Sequence, residues 1–301
     1  RAKRWIALRR TPNAQTRVAI LYFNYPAGKS NVGASYLNVP RSLSRLLGKL
    51  KTEGYDLGDA PIDPDTLLAE IQAGGRNVGS WAPGELEALV GGGGCTLVPV
   101  GEYQAWLDGF PEPFRASVLK DWGEPGKSPF MTWKEPASGQ VSIVLPTVKR
   151  GNVVLLPQPT RGWGDDLEKL YHSTTLAPHH QYVAAYAWLR YGFRADAVVH
   201  VGTHGTHEWL PGKEMALAPE DAPEALIFDL PNVYPYNVDV VGEGLVAKRR
   251  GMATIVDHMI PPLAKGGLYH EYAALQELIN DHDANLGKSP ELAEAFREEL
   301  R

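Results

Sequence analysis

The 301-residue sequence contains a single cysteine, Cys95. That excludes an internal disulfide and any zinc or iron–sulfur centre built from several thiolates, so metal chemistry here has to use imidazole and carboxylate. Positive charge is also in short supply, with 30 Lys and Arg against 35 Asp and Glu for a net charge of −5. Neither a nucleic-acid footprint nor a polybasic membrane face is expected from that balance. No apolar run is long enough to span a bilayer, and the charged opening RAKRWIALRR is not followed by the apolar core of a signal peptide. A cytoplasmic location is the default expectation. The sequence also lacks a GxGxxG or Walker pattern and any evident internal repeat.

What is present suits a folded globular chain, with 44% hydrophobic residues. Apolar runs at Arg17 to Phe23, Val141 to Leu145, Asn152 to Pro157, Ala195 to Val201, Asn232 to Val238 and Met252 to His258 read as strands. Helical periodicity covers Arg1 to Arg10, Val39 to Gly54, four short stretches between Asp65 and Trp122, Asp165 to Tyr171, Gln181 to Tyr191, Gly242 to Gly251, Tyr269 to Asn280 and Glu291 to Leu300. Gly91 to Gly94 with Thr96 to Pro99 reads as a loop or hinge. Strands alternating with helices predict an α/β fold, mainly parallel sheets flanked by helices, in two α/β halves. The Gly, Pro, Ser and Lys-rich stretch Gly123 to Gly139 marks their boundary. Residues 1–125 then form an α/β domain with an N-terminal helix, and 126–301 a second one.

The second half carries the stretch around which the chain is organised, ADAVVHVGTHGTHEWLPGK from Ala195 to Lys213. A buried parallel strand breaks at Gly202, and His200, His204, His207 and Glu208 follow within nine positions. The carboxyl ends of strands are where open α/β sheets bind ligands. Imidazole and carboxylate together suit divalent cobalt, zinc, nickel or iron, and the same groups accept protons near neutrality. Glu208, His204, His200 and His207 are therefore the candidate metal-handling residues, with hydrogen-bonded core histidines as the plain alternative. His179 and His180, at the start of a helix, read equally as anion or metal binders and as helix-terminus residues. Lys248, Arg249 and Arg250 are adjacent, so at most two of them converge on one ligand.

Several segments, in order, resemble the large, tetrapyrrole-binding subunit of the cobaltochelatase and magnesium chelatase family. They are RVAILYFNYP (Arg17 to Pro26), GNVVLLPQPTRGW (Gly151 to Trp163), the Pro178-His179-His180 helix start, HVGTHGTHEWLPGK (His200 to Lys213), NVYPYNVDVVGEGLVAKRRG (Asn232 to Gly251) and Pro261-Pro262. The resemblance implies insertion of a divalent metal into a tetrapyrrole, with ATP hydrolysed by separate AAA+ partner subunits alongside integrin-like chelatase subunits. It implies Glu208 as the essential carboxylate and His204 second to it. It further implies Lys213, Arg249 and Arg250 for the acidic side chains of the substrate, Trp209 for its face, and His179 and His180 near it. Trp209 to Lys213 and Gly242 to Gly244 look like the cobalt branch, implying a corrin precursor of the hydrogenobyrinic acid a,c-diamide type; the alternative is magnesium and protoporphyrin IX. His207 stands where the family usually has an apolar residue. Large subunits of this family are several times longer, so a fragment or shortened relative is expected. A non-catalytic tetrapyrrole carrier and a histidine/carboxylate metal hydrolase are the other readings of the same residues.

Overall fold

The computed structural model describes residues 1–24, 32–33, 37–79, 84–128, 130–161, 173–202, 206–236, 241–257, 271–286 and 289–300. The chain divides into two compact units, one spanning Arg1–His258 and the other Met259–Arg301. In the second, helices Glu271–Asn285 and Pro290–Glu299 pack on one another.

The first unit is built on a six-stranded sheet ordered β5-β6-β1-β7-β8-β9. The strands are β1 (Val18–Tyr22), β5 (Val148–Arg150), β6 (Val153–Pro157), β7 (Ala197–Val201), β8 (Asn232–Tyr236) and β9 (Thr254–Asp257). All pairings are parallel except β5 with β6. The expected mainly parallel α/β sheet is therefore what forms. It draws β1 from the first 125 residues and its other strands from beyond them.

The uninterrupted apolar run of β1 reflects burial on both faces. Val18, Ile20 and Tyr22 point into a core with Leu43 and Leu47 of α2 (Val39–Thr52) and Leu67 and Ile71 of α3 (Pro64–Gly74). Ala19 and Leu21, one step out of phase, point into the other core. There they meet Tyr182, Val183 and Tyr186, which belong to the helix His180–Ala187. Both α2 and α3 start where their sequences signal it. Asn38 Oδ1 accepts from the Arg41 N–H at 3.1 Å and Asp63 Oδ1 from the Thr66 N–H at 2.9 Å, each followed by a first-turn proline.

A second, antiparallel sheet corrects the hinge expected at Thr96 to Pro99. Cys95–Pro99 is strand β2, paired with β4 (Val141–Pro146), whose other neighbour is β3 (Thr132–Lys134). Of the glycine run before it, Gly91, Gly92 and Gly93 are exposed and Gly94 alone is closely packed: a Cβ on Gly74 would stand 2.5 Å from the Gly94 Cα. Between β2 and β3 lie α5 (Val100–Asp108) and α6 (Glu112–Trp122), preceded in the chain by α4 (Glu85–Gly91) and α1 (Ala2–Arg10). The helix after β6, expected to run from Gln181 to Tyr191, is α7 (His180–Ala187) continued by a single π turn at Trp188–Gly192. The helix read at 165–171 lies outside the described residues. Two further helices, α8 (Ala222–Ile227) and α9 (Val241–Gly251), flank β8 in sequence.

Candidate functional site

The chain passes from β1 to β6 on one side and to β7 on the other, so the strand order reverses at β1. Ligands in open parallel sheets bind at the carboxyl ends beside such a reversal. The segment leaving β7 carries Glu208 there, in a single 3₁₀ turn over His207–Trp209. The turn is closed by the Trp209 N–H donating to the Thr206 carbonyl at 3.1 Å and pinned by fully buried Leu210.

Both His207 and Glu208 are 0% exposed. The Tyr234 hydroxyl donates to Glu208 Oε2 at 2.8 Å, and His207 Nδ1 lies 3.1 Å from the same oxygen and 3.0 Å from Tyr234 Oη. Burial alone would raise the Glu208 pKa, but it is outweighed by the His207 hydrogen bond and charge, the residue's own backbone N–H and His200, which together hold it down to about 2. Burial, then the Glu208 charge, pushes the Tyr234 phenol well above its ordinary value and keeps it a donor.

Behind this trio runs a directional chain of hydrogen bonds. Asn232 Nδ2 donates to the Gly251 carbonyl at 2.8 Å, so Oδ1 is the atom facing His200 Nδ1 at 2.9 Å. His200 thus carries its proton on Nδ1. Its Nε2 accepts from the Tyr186 hydroxyl at 3.1 Å, and Tyr186 in turn accepts from Gln158 Nε2 at 3.1 Å. Burial, then the charge of His207, lowers the His200 pKa to about 3. Aromatic stacking closes the packing: His200 lies 5.0 Å from His207 at 20° and 4.6 Å from the Tyr234 ring.

The histidines of the central stretch accordingly take different places. His207 and Glu208 come together, whereas both ring nitrogens of His200 are engaged by protein partners. His204 lies outside the described residues. Among the described residues no group of three or more His, Cys, Asp and Glu is arranged to hold a metal ion. His179 caps α7, its Nδ1 accepting from the Tyr182 N–H at 3.2 Å while Nε2 donates to the Thr160 carbonyl at 2.6 Å. Burial lowers its pKa to about 3. His180 Nε2 donates to the Gly123 carbonyl at 2.8 Å, and Nδ1 faces the Tyr103 hydroxyl at 3.0 Å. Both of these side chains are therefore engaged in holding α7.

Trp209 is 39% exposed, and Lys213 and Arg249 are exposed as well. Arg250 is not: it is buried and donates to the Leu210 carbonyl at 2.6 Å. The adjacent arginines thus separate into one that faces solvent and one that braces the site turn. Sequence reasoning passed over Tyr234, Asn232, Tyr186 and Gln158. A signal was available for the first two, since positions two apart on a strand share a face and NVYPY places Asn232 and Tyr234 so.

The full chain, residues 1–301, matches the family model described as CobN/Magnesium Chelatase. It is similar to the aerobic cobaltochelatase subunit CobN of Pseudomonas aeruginosa, at 36% identity over 301 residues that cover 99% of this chain and 23% of that protein. It is also similar to the H subunit of magnesium chelatase from Chlorobaculum parvum, at 35% identity over 284 residues, 93% of this chain and 21% of that one. Among solved structures it resembles the catalytic subunit of cobaltochelatase from Mycobacterium tuberculosis, with a TM-score of 0.72 and 34% identity over 99% of this chain and 24% of that chain. The chain spans about a quarter of the length of the relatives it matches.

Proposed function

The chain belongs to the CobN/magnesium chelatase family, and from that premise we propose that it forms the tetrapyrrole-binding catalytic part of an ATP-dependent metal chelatase. The observation that carries the reading is the fully buried Glu208 carboxylate, held ionised by His207 and Tyr234 at the carboxyl edge of the parallel sheet. A divalent metal enters such a macrocycle only as inner N–H protons leave, two from a porphyrin and one from a corrin, so a carboxylate that stays deprotonated at neutral pH has a task there. Glu208 accepts a departing proton, and His204 is the second residue assigned to the reaction. Trp209 offers an aromatic surface to the macrocycle face, and Lys213 and Arg249 attract its acidic side chains.

Cobalt is assigned as the metal substrate, and a corrin precursor of the hydrogenobyrinic acid a,c-diamide type as the macrocycle. Their support is the likeness of Trp209 to Lys213 and Gly242 to Gly244 to the cobalt branch. ATP is hydrolysed by AAA+ partner subunits, as the family resemblance implies. Absorbance titration of the chain with a corrin precursor and with a porphyrin tests the reading, followed by metal insertion in the presence of the ATPase partners. Glu208→Gln is expected to bind the macrocycle and fail to insert metal. A chain that perturbs the spectrum of neither macrocycle would sink the proposal.

A further inference from the structure

The family resemblance gives His207 no role of its own, and its surroundings supply one. Three polar atoms form a closed triangle: Tyr234 Oη to Glu208 Oε2 at 2.8 Å, Tyr234 Oη to His207 Nδ1 at 3.0 Å and His207 Nδ1 to Glu208 Oε2 at 3.1 Å. One carboxylate oxygen is an acceptor only, so both other corners have to bring protons. The phenol brings one. The other sits on Nδ1, because the Nε2–H tautomer would turn the Nδ1 lone pair on the carboxylate; Nε2 itself has no hydrogen-bond partner among the described residues. Two donors on the same oxygen fix the rotation of the carboxylate about its last bond.

We propose that His207 is a positioning residue: with Tyr234 it clamps Glu208 Oε2 through Nδ1–H and so sets the plane in which the carboxylate meets the reacting macrocycle. The inference rests on the assignment of Glu208 to the reaction. The useful property of the imidazole is geometric, a hydrogen-bond donor two bonds beyond Cβ. Asparagine carries an N–H at that position, glutamine one atom further out, and leucine none.

Those three substitutions, made in the full-length subunit and assayed with its ATPase partners, separate a clamp from simple packing. His207→Asn is expected to keep kcat within about threefold of the parent, while His207→Gln and His207→Leu lose about 10- to 100-fold in kcat with macrocycle affinity and KM unchanged. Equal effects of the three, whether all mild or all severe, overturn the clamp. If His207→Leu does not fold, Tyr234→Phe removes the other donor on Oε2 and is expected to lower kcat without changing macrocycle binding; an unchanged kcat overturns the proposal. Imidazole ¹⁵N spectra give a readout that does not depend on what Glu208 does. They are expected to show His207 protonated at Nδ1, and an Nε2–H signature overturns the proposal. Full metal insertion by Glu208→Gln, by contrast, would overturn the functional reading of Glu208 and leave the tautomer result standing.

Discussion

The ring of His207 lies edge-on against the backbone of Gly251: a Cβ at Gly251 would stand 2.9 Å from Nε2 and 3.1 Å from Cε1 of the imidazole. The histidine and the glycine are therefore a matched pair, although one sits in the turn after β7 and the other ends α9. Gly251→Ala is expected to cost about 1–3 kcal/mol, the usual penalty for forcing an extra carbon into a packed interior. Part of that loss should vanish in a His207→Ala background, because the clash disappears with the ring. Urea unfolding of the two single variants and the double gives the coupling; strictly additive losses would mean that the two residues do not touch.

Adjacent arginines on α9 should fail in different ways. Arg250 is buried with a guanidinium N–H on the Leu210 carbonyl, the residue that closes the site turn. Arg250→Ala leaves that carbonyl unpaired in the interior and is expected to lower stability by about 1–3 kcal/mol. Arg249→Ala, on the exposed side, should leave the unfolding midpoint within about 0.5 kcal/mol of the parent. Its expected effect is on macrocycle affinity, together with Trp209→Ala, measured by absorbance titration at low salt. A large stability loss from Arg249→Ala would place its side chain elsewhere.

Much of this was legible in the sequence for physical reasons. The doubly buried β1 reads as a strand because both its faces are covered, and the helices expected from Val39 and Asp65 begin within one residue of those positions, where Asn38 and Asp63 cap them. Glu208 was visible as a carboxylate beside glycines at a strand end. Cys95–Pro99 was misread because a short strand behind four glycines looks like a connection until β4 is known to lie beside it. The roles of His200 and His207 were hidden for a different reason. Period-2 alternation says that a strand residue is buried but not which hydrogen bonds it makes. What separates the two histidines is Asn232 and Tyr234, more than 20 positions away in sequence.

The chain Gln158–Tyr186–His200–Asn232–Gly251 has a fixed direction and therefore a weak link. Asn232→Leu removes the acceptor for His200 Nδ1–H and the donor for the Gly251 carbonyl together. Two buried groups are left without partners, at about 1–3 kcal/mol each. Tyr186→Phe removes the hydroxyl shared by His200 Nε2 and, at 3.3 Å, Gln158 Oε1, which leaves acceptors but no buried nitrogen donor without a partner. Asn232→Leu is thus expected to be the more damaging of the two in thermal unfolding, and the reverse ranking would refute the direction assigned to the chain.

Acid should destabilise the fold well before ordinary carboxylates titrate. His200 and His179 each have folded pKa values of about 3 against a reference of 6.5. Between those limits the unfolded chain takes up protons that the folded chain refuses, so stability falls as the pH is lowered, by up to about 1.4 kcal/mol per pH unit for each histidine. Glu208 acts in the same direction over a lower window. Its folded value of about 2 lies below the reference 4.5, so its contribution is complete above pH 4.5 and is lost as the pH drops toward 2. The urea midpoint should begin to decline just below pH 6.5. In His200→Gln, which has no imidazole to protonate on unfolding, the decline between about pH 6 and pH 4 should be shallower by the share of one histidine. A variant whose midpoint tracks the parent throughout that range would mean that His200 takes up its proton in the folded state, and the neutral Nδ1–H tautomer on which the hydrogen-bond chain depends would have to be abandoned.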